Sequence, residues 1–594
     1  MTPPTPLRRN ALALVFLSLF VYSCGQQPAP TVQNTQPEQR RERTVGSRGG
    51  TLSYRLTSAP KTLNPVLASD EASFLVAFFL TGARLVEFDH DAQRYVPGLA
   101  ESHRLLDDGR TVELTLRDGV KFSDGHALTT EDVVFTLRSV YDEKSGSTVI
   151  RSGLLIGERP IEALALDARR MQLVFPDRVT VPESFLSNIA VVPRHALEAA
   201  FNADAERNAF REVFGAGADP KSIVTAGAFA FESVTPGERY VLRRNPHYWK
   251  RDSAGTQLPY LDSLALEVVA DANAAVTRLG EGSLDMVDRV RPSDFAALRT
   301  TPGRVRAVDL GPGLSTDYFF FNLNEDERAG RAESNPVKLS WFKDARFRRA
   351  VAHAIDRQSI AEGVLQGLAT PLYGFVSPAN KQWRAEDTAR PEFDAARSRA
   401  LLAEAGFQTR GTPDAPELFD AQGNRVGFTL LVPQENEPRV KMAAVVQEDL
   451  SKIGIRVQVA PVEFNEVRRR TLQSFDYDAA LLGSASTDFD PSSMASILSS
   501  SSAEHQWRPS QAKPATEWEA RIDELLAVLA REPDEARRRG VFREIQAILA
   551  EQMPVVPLVS RHIACAANER VGNHRPSIVF PFSMWNAEEL YVRQ

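Results

Sequence analysis

Hydrophobic and polar positions alternate with period two in Thr51-Leu52-Ser53-Tyr54-Arg55-Leu56, and more sharply in Thr111-Val112-Glu113-Leu114-Thr115-Leu116-Arg117. Both read as strands with one buried face. Asp118-Gly119 after the second is a tight-turn signal, with Val120-Lys121-Phe122 beyond it. The period then changes. Thr130-Glu131-Asp132-Val133-Val134-Phe135-Thr136-Leu137 opens with a capping residue and acids and continues with apolar residues at helical spacing. Residues 342–360 and 395–405 repeat the helical pattern, the stretch 344–355 as a buried face with its basic residues outward. Residues 442–453 form another helix, stopped by Gly454, and Arg456-Val457-Gln458-Val459 returns to a strand. Strands and helices mixed in this order predict an α/β (α+β mixed) protein of several lobes, without a short internal repeat.

The first 49 residues follow a different rule. Arg8 and Arg9 precede an uncharged run from Ala11 to Val21, too short for a comfortable membrane span of roughly 20 residues. A positive flank, a short apolar core and small residues at a break predict an export signal over residues 1–23. The break, Val21-Tyr22-Ser23-Cys24, resembles a bacterial lipobox, in which the cysteine thiol is joined to diacylglycerol. Cys24 is thus read as a lipidation site, the alternative being a nearby cut that leaves a free thiol. Acyl chains contribute about 0.8 kcal/mol per buried methylene, enough for several together to hold a protein at a membrane. Residues 24–49, rich in Gln, Pro, Thr, Arg and Glu, have too little apolar surface to fold and read as a tether.

Composition narrows the class. A chain of 594 residues exceeds what one core needs, so about two to four domains are expected. Charged residues make up 25% and hydrophobic ones 43%, with a formal net charge of −7. That balance argues against nucleic acid as a partner, which calls for a concentrated basic surface. Two cysteines, Cys24 and Cys565, exclude a disulfide framework. Cys565 lies in the apolar run Ile563-Ala564-Cys565-Ala566-Ala567, where a buried, inert thiol is expected. The nine histidines show no HExxH-type pair and no His/Cys cluster, so no metal and no cofactor is expected, with His505 alone worth following. GxSxG elbows and metal-site helices, the marks of a secreted hydrolase, are absent, and the chain is not read as an enzyme.

Several segments taken together resemble the family-5 extracellular solute-binding proteins of ABC importers, a group that includes oligopeptide-, dipeptide- and nickel-binding proteins. They are Gly49-Gly50-Thr51-Leu52 with Lys61-Thr62-Leu63-Asn64-Pro65, and Val96-Pro97-Gly98-Leu99-Ala100-Glu101-Ser102 continuing through Asp107-Asp108-Gly109-Arg110-Thr111. Most specific is the run from Leu116 to Gly125 followed by Leu128 to Phe135. Later come Thr225-Ala226-Gly227-Ala228-Phe229, Arg244-Asn245-Pro246-His247-Tyr248-Trp249, and Phe342 to Ala350 with Ala354-Ile355-Asp356-Arg357. The resemblance implies a periplasmic-binding-protein-like type II clamp of two lobes with an extra small inserted domain. The first lobe would comprise residues 50–88, 217–315 and 555–594, the insert 89–216, and the second lobe 316–554. It further implies capture of a peptide or similar small solute between the lobes by an extracytoplasmic, membrane-anchored monomer, and delivery to an ABC permease and its ATPase. A peptide-signal receptor or a chaperone-like lipoprotein has the same sequence marks.

In peptide-binding relatives an aspartate in a Trp-containing loop before a proline pairs with the peptide's ammonium group. The matching stretch runs Gly483-Ser484-Ala485-Ser486-Thr487-Asp488-Phe489-Asp490-Pro491. Ser484 stands where tryptophan is usual, Thr487 at the ammonium position and Asp488 one place on. Asp488 is open to two readings, a ligand carboxylate suited to an amine or a helix cap, whereas Asp490 reads as a cap. Asn64, at the end of the first strand, is either a turn residue or a group on the cleft loop.

Overall fold

The alternation over residues 51–56 does build a strand, β1 (Thr51–Leu56), with Leu52, Tyr54 and Leu56 buried and the positions between them more open. The computed structural model describes residue 1 and residues 44–300, 304–325, 335–484 and 489–593. All but the first belong to one unit, residues 39–594. Cys24, Thr487 and Asp488 lie outside the described residues. Among the described residues no helix is long and apolar enough to cross a membrane.

A mixed sheet of eleven strands runs through the molecule. In chain order they are β1, β2 (Phe229–Thr235), β3 (Arg239–Arg244), β4 (Ser263–Val268), β5 (Met286–Val287) and β6 (Val305–Phe321). Then follow β7 (Ala369–Pro371), β8 (Gly427–Pro433), β9 (Arg456–Val462), β10 (Ala479–Ser484) and β11 (Val555–Asn568). The spatial order is β9-β8-β10-β6-β11-β5-β1-β4-β3-β2, with β7 paired to β11. Only β6 and β11 are long, and their two ends lie in different cores. Phe319, Phe320 and Phe321 pack with Trp341, Phe428, Leu481, Val556 and Leu558. At the other end Val305 and Ala307 meet Ala564, Ala566, Val287 and Leu284. Two cores joined by one pair of strands make two lobes and a waist.

The waist is written in the sequence Asp309-Leu310-Gly311-Pro312-Gly313. Gly311 has φ +78, a conformation costly to residues with a Cβ, and Pro312 brings no N–H to the ladder. The β6–β11 register accordingly shifts between Asp309 and Pro312 and again between Pro312 and Thr316. Ser377 and Ser560 hydroxyls donate to the carbonyl of Gly313, at 2.5 and 2.8 Å, which keeps the broken ladder satisfied. Interrupted pairing of this kind is where a sheet bends.

Residues 100–174 hold a four-stranded antiparallel sheet of their own, and the helices Thr130–Tyr141 and Arg194–Ala203 pack around it. Val112, Leu114, Phe122, Val133 and Phe135 share one core with Leu52, Tyr54 and Leu264 of the first lobe. This sheet therefore packs on that lobe through continuous apolar contact.

The stretch 342–360 is broken into Pro336–Lys343, Ala345–His353 and Arg357–Ser359. Asp344 and Asp356 interrupt it by accepting from backbone N–H groups ahead of them, each starting a new helix. Its basic residues do not all face outward. Arg346 does, but Arg348 and Arg357 are 2% and 1% exposed. Arg348 donates to the carbonyls of Phe342, Lys343, Gln552 and Met553, closing two helix ends that would otherwise be unsatisfied. Burial lowers both guanidinium pKa values to about 10. The other helical expectations hold: Ala395–Glu404 and Glu437–Ser451 form, the latter starting earlier because Asn436 caps it at Arg439 N–H, 3.2 Å.

Candidate functional site

In open α/β sheets ligands bind beyond the carboxyl ends of parallel strands. β1 is parallel to β4 and β5, and β8 is parallel to β9 and β10. The loops leaving β1 and β5 belong to the first lobe, and those leaving β8 and β10 to the second. They meet across the waist. Phe88, from the strand Val86–Asp89, stacks on Phe489 at 6.2 Å and 22°. Phe489 also packs beside Leu314, Ala379 and Val579, and Asn380 Nδ2 donates to its carbonyl at 2.8 Å. Glu437, opening the helix after β8, is held below the usual carboxylate range first by Lys441 and further by Arg291 from the first lobe.

The first-lobe wall contains a small surface depression lined by Tyr54, Arg55, Thr57, Glu71, Arg289 and Phe582 among others. Arg289 and Phe582 have φ of 52 and 50, left-handed values that cost non-glycine residues energy and cluster at ligand sites. The Arg289 guanidinium pairs with Glu71 and lies 5.4 Å from the centre of the Phe582 ring. Beneath them the buried Asp288 accepts from Tyr54 Oη at 2.8 Å and from Ser583 N–H at 3.1 Å. Burial raises the Asp288 pKa and pushes the neighbouring Cys565 thiol far up, so Cys565 is the buried, unreactive thiol its surroundings predicted.

The second-lobe floor centres on Asp317, whose side chain is 3% exposed. It accepts from Arg439 Nε at 2.8 Å and from Arg561 Nε and Nη2 at 2.6 and 3.1 Å. One carboxylate for two guanidiniums leaves one positive charge in excess, and Arg561 Nη2 also reaches Asn436 Oδ1 at 3.3 Å. Gly483 pairs with Asp317 in the ladder. A Cβ there would come 2.4 Å from both the Thr316 carbonyl and Arg439 Nη2, so only glycine admits this arrangement. In the waist itself His562 bridges Asp309 Oδ2, 2.9 Å, and Thr370 Oγ1, 2.8 Å.

Of the residues singled out from the sequence, Ser484 is the last of β10, half-buried opposite Thr316. Thr487 and Asp488 follow it in the sequence. Asn64 is fully buried, its Oδ1 accepting from Val66 N–H at 3.1 Å in the manner of a turn cap. Asp490 caps Ser492 N–H at 2.9 Å and pairs with Arg538 through both oxygens, 2.7 and 2.8 Å. Glu71, Arg289, Asp317, Arg439, Arg561 and Phe582 carried no sequence signal, because they come from six separate stretches of chain.

His505 is buried against Glu519, Nε2 to Oε1 3.3 Å, in a network with Trp507, Arg508 and Gln511. Burial alone would raise the Glu519 pKa. The hydrogen bond from His505 and the charge of Arg508 outweigh it and hold the carboxyl at about 2, against an ordinary 4.5. Its folded-state pKa lies below the unfolded one, so the contribution is complete above pH 4.5 and is lost as the pH falls towards 2. It is on the order of 3 kcal/mol. Denaturant unfolding of Glu519→Gln is expected to show lower stability at pH 7 and a flatter profile between those limits. An unchanged profile would remove Glu519 from this role.

The family model for bacterial extracellular solute-binding proteins, family 5 (middle region), matches residues 94–506. A "Probable ABC transporter-binding protein" of Deinococcus radiodurans is 27% identical over 551 residues, covering 89% of this chain and 90% of that protein. The oligopeptide-binding protein AppA of Bacillus subtilis is 28% identical, covering 80% and 81%. The structure of Bacillus subtilis AppA in complex with a nonapeptide superposes with a TM-score of 0.66, at 26% identity, over 92% of this chain and 100% of that one.

Proposed function

Because the chain belongs to the bacterial extracellular solute-binding proteins of family 5, we propose that it closes its two lobes on a peptide and hands it to an ABC permease. The observation that carries this reading is the pair of strands β6 and β11 crossing between two separate cores, with facing segments that touch through Phe88 and Phe489. Such a waist lets a cleft open to admit a solute and shut to bury it. Bacillus subtilis AppA, with its nonapeptide, supports a peptide as the solute here.

The lobes are assigned to residues 50–88, 217–315 and 555–594 for the first and 316–554 for the second, with 89–216 as the insert. Within the cleft, the loop from Ser484 to Phe489 reads the peptide's amino end: Asp488 accepts from the ammonium group and Thr487 supports it. Asn64 holds the first-lobe loop. The protein acts outside the cytoplasm, as a monomer tied to the membrane through acyl chains on Cys24.

Short peptides are expected to raise the unfolding midpoint by mass action, and N-acetylated versions to do so less. A hydrogen bond to a charged group contributes about 1.5–3 kcal/mol, so Asp488→Asn should weaken free-amino peptides by roughly 10- to 100-fold. Equal loss for acetylated and free peptides would take the ammonium contact away from Asp488. A response to sugars and none to a broad peptide library would overturn the peptide itself. Mass spectrometry of solutes released on gentle denaturation identifies the natural occupant.

A further inference from the structure

The histidines are scattered along the chain, yet folding brings His126 and His195 to one carboxylate on the surface of the insert. His126 Nδ1 and His195 Nε2 both lie on Asp124 Oδ2, at 2.9 and 2.7 Å, and the two imidazoles stack with centroids 4.0 Å apart and 22° between planes. One ligand atom from each of the three residues lies within 4.8 Å of the others.

We propose that Asp124, His126 and His195 bind a divalent transition-metal cation. The donor set favours it. Two imidazole nitrogens and a carboxylate oxygen converge on one place, donors of the kind that suit Zn²⁺, Ni²⁺ or Cu²⁺ and not Mg²⁺ or Ca²⁺. Bonds to such an ion are about 2.0–2.2 Å, so opening each pair by roughly half an ångström gives a tetrahedral half-shell.

The donors are held from behind. Asp124 Oδ1 accepts from the His126 backbone N–H at 3.1 Å. Phe122 N–H bonds to the His126 carbonyl at 2.9 Å, and Ser123 N–H to that of Thr225 at 2.7 Å. His195 stands in the first turn of the helix Arg194–Ala203, where Arg194 N–H donates to Asp132 Oδ1 at 3.0 Å, and the ring packs on the edge of Phe122. The front is open. The His126 side chain is 63% exposed and those of Asp124 and His195 are each 30% exposed, leaving a position for water or a fourth ligand. This is a site on the insert, separate from the strand ends that face the waist.

The test uses the untagged full-length chain stripped with a chelator, titrated calorimetrically with ZnCl₂ and in parallel with MgCl₂. Zinc is expected to bind at one equivalent and to raise the unfolding midpoint, with no heat from magnesium. His126→Gln and His195→Gln should each weaken zinc by roughly tenfold or more, the range seen when a supporting metal contact is lost. Bound Cu²⁺ should show coupling to two imidazole nitrogens by electron paramagnetic resonance, falling to one in His126→Gln. Because the His126 side chain is largely in solvent, that variant keeps its fold and its peptide response. Absence of zinc binding, or variants that bind zinc as tightly as the unaltered chain, would overturn the site.

Discussion

Replacing Arg357 with methionine is expected to lower the free energy of unfolding by about 3–5 kcal/mol, the scale of breaking a buried charged contact. The guanidinium is 1% exposed and donates from Nε to the Pro557 carbonyl at 2.8 Å and from Nη1 to those of Ala352 and Pro391, both at 3.0 Å. It ties the end of one second-lobe helix to the strand β11 that crosses the waist. Methionine fills much of the volume but leaves those carbonyls in the core without donors, at roughly 1–3 kcal/mol each where water cannot reach. Urea unfolding at pH 7 measures it. Arg346→Met is the comparison, since Arg346 is exposed and surface pairs contribute about 0–1 kcal/mol. If the two variants unfold at the same denaturant concentration, the interior role of Arg357 fails.

Gly483→Val is expected to abolish the peptide-induced rise in unfolding midpoint while leaving a folded, less stable protein. Its Cβ would stand 2.4 Å from the Thr316 carbonyl, a backbone atom that cannot swing aside, and 2.4 Å from Arg439 Nη2. β10 must then part from β6, or Arg439 must leave Asp317. Either movement shifts Ser484, the last residue of β10. Overpacking of this sort costs about 1–3 kcal/mol. Gly540, with open space where its Cβ would be, provides the control. Gly540→Ala in the helix Glu535–Gln552 should gain about 0.5–1 kcal/mol and keep the peptide response. A full peptide response from Gly483→Val would show that the β6–β10 ladder does not position the site.

Some of the molecule could be read along the chain because its causes are local. Period-two alternation placed β1 and the strand Thr111–Leu116, since a strand face is decided by neighbours two residues apart. Asp490 followed by Pro491 signalled a cap, and the apolar surroundings of Cys565 signalled an inert thiol, each from adjacent residues. The motifs scattered between Gly49 and Arg357 carried the family.

The buried arginines were not legible. Pattern alone places arginine outward, and the carbonyls that hold Arg348 and Arg357 come from as far away as Gln552 and Pro557. The cleft is likewise assembled from six stretches, each unremarkable alone: the strain at Arg289 and Phe582 appears only where their segments meet Glu71. Asp124 and His126 are neighbours on a turn, but His195 reaches them only because the helix Arg194–Ala203 folds back across that turn. The sequence by itself determined which segments are strands, helices and turns, and to which family they add up, because those depend on residues a few places apart. Which charges are buried and which donors converge was decided by the tertiary fold, because electrostatic partnership depends on distance in space, and separation along the chain does not fix it.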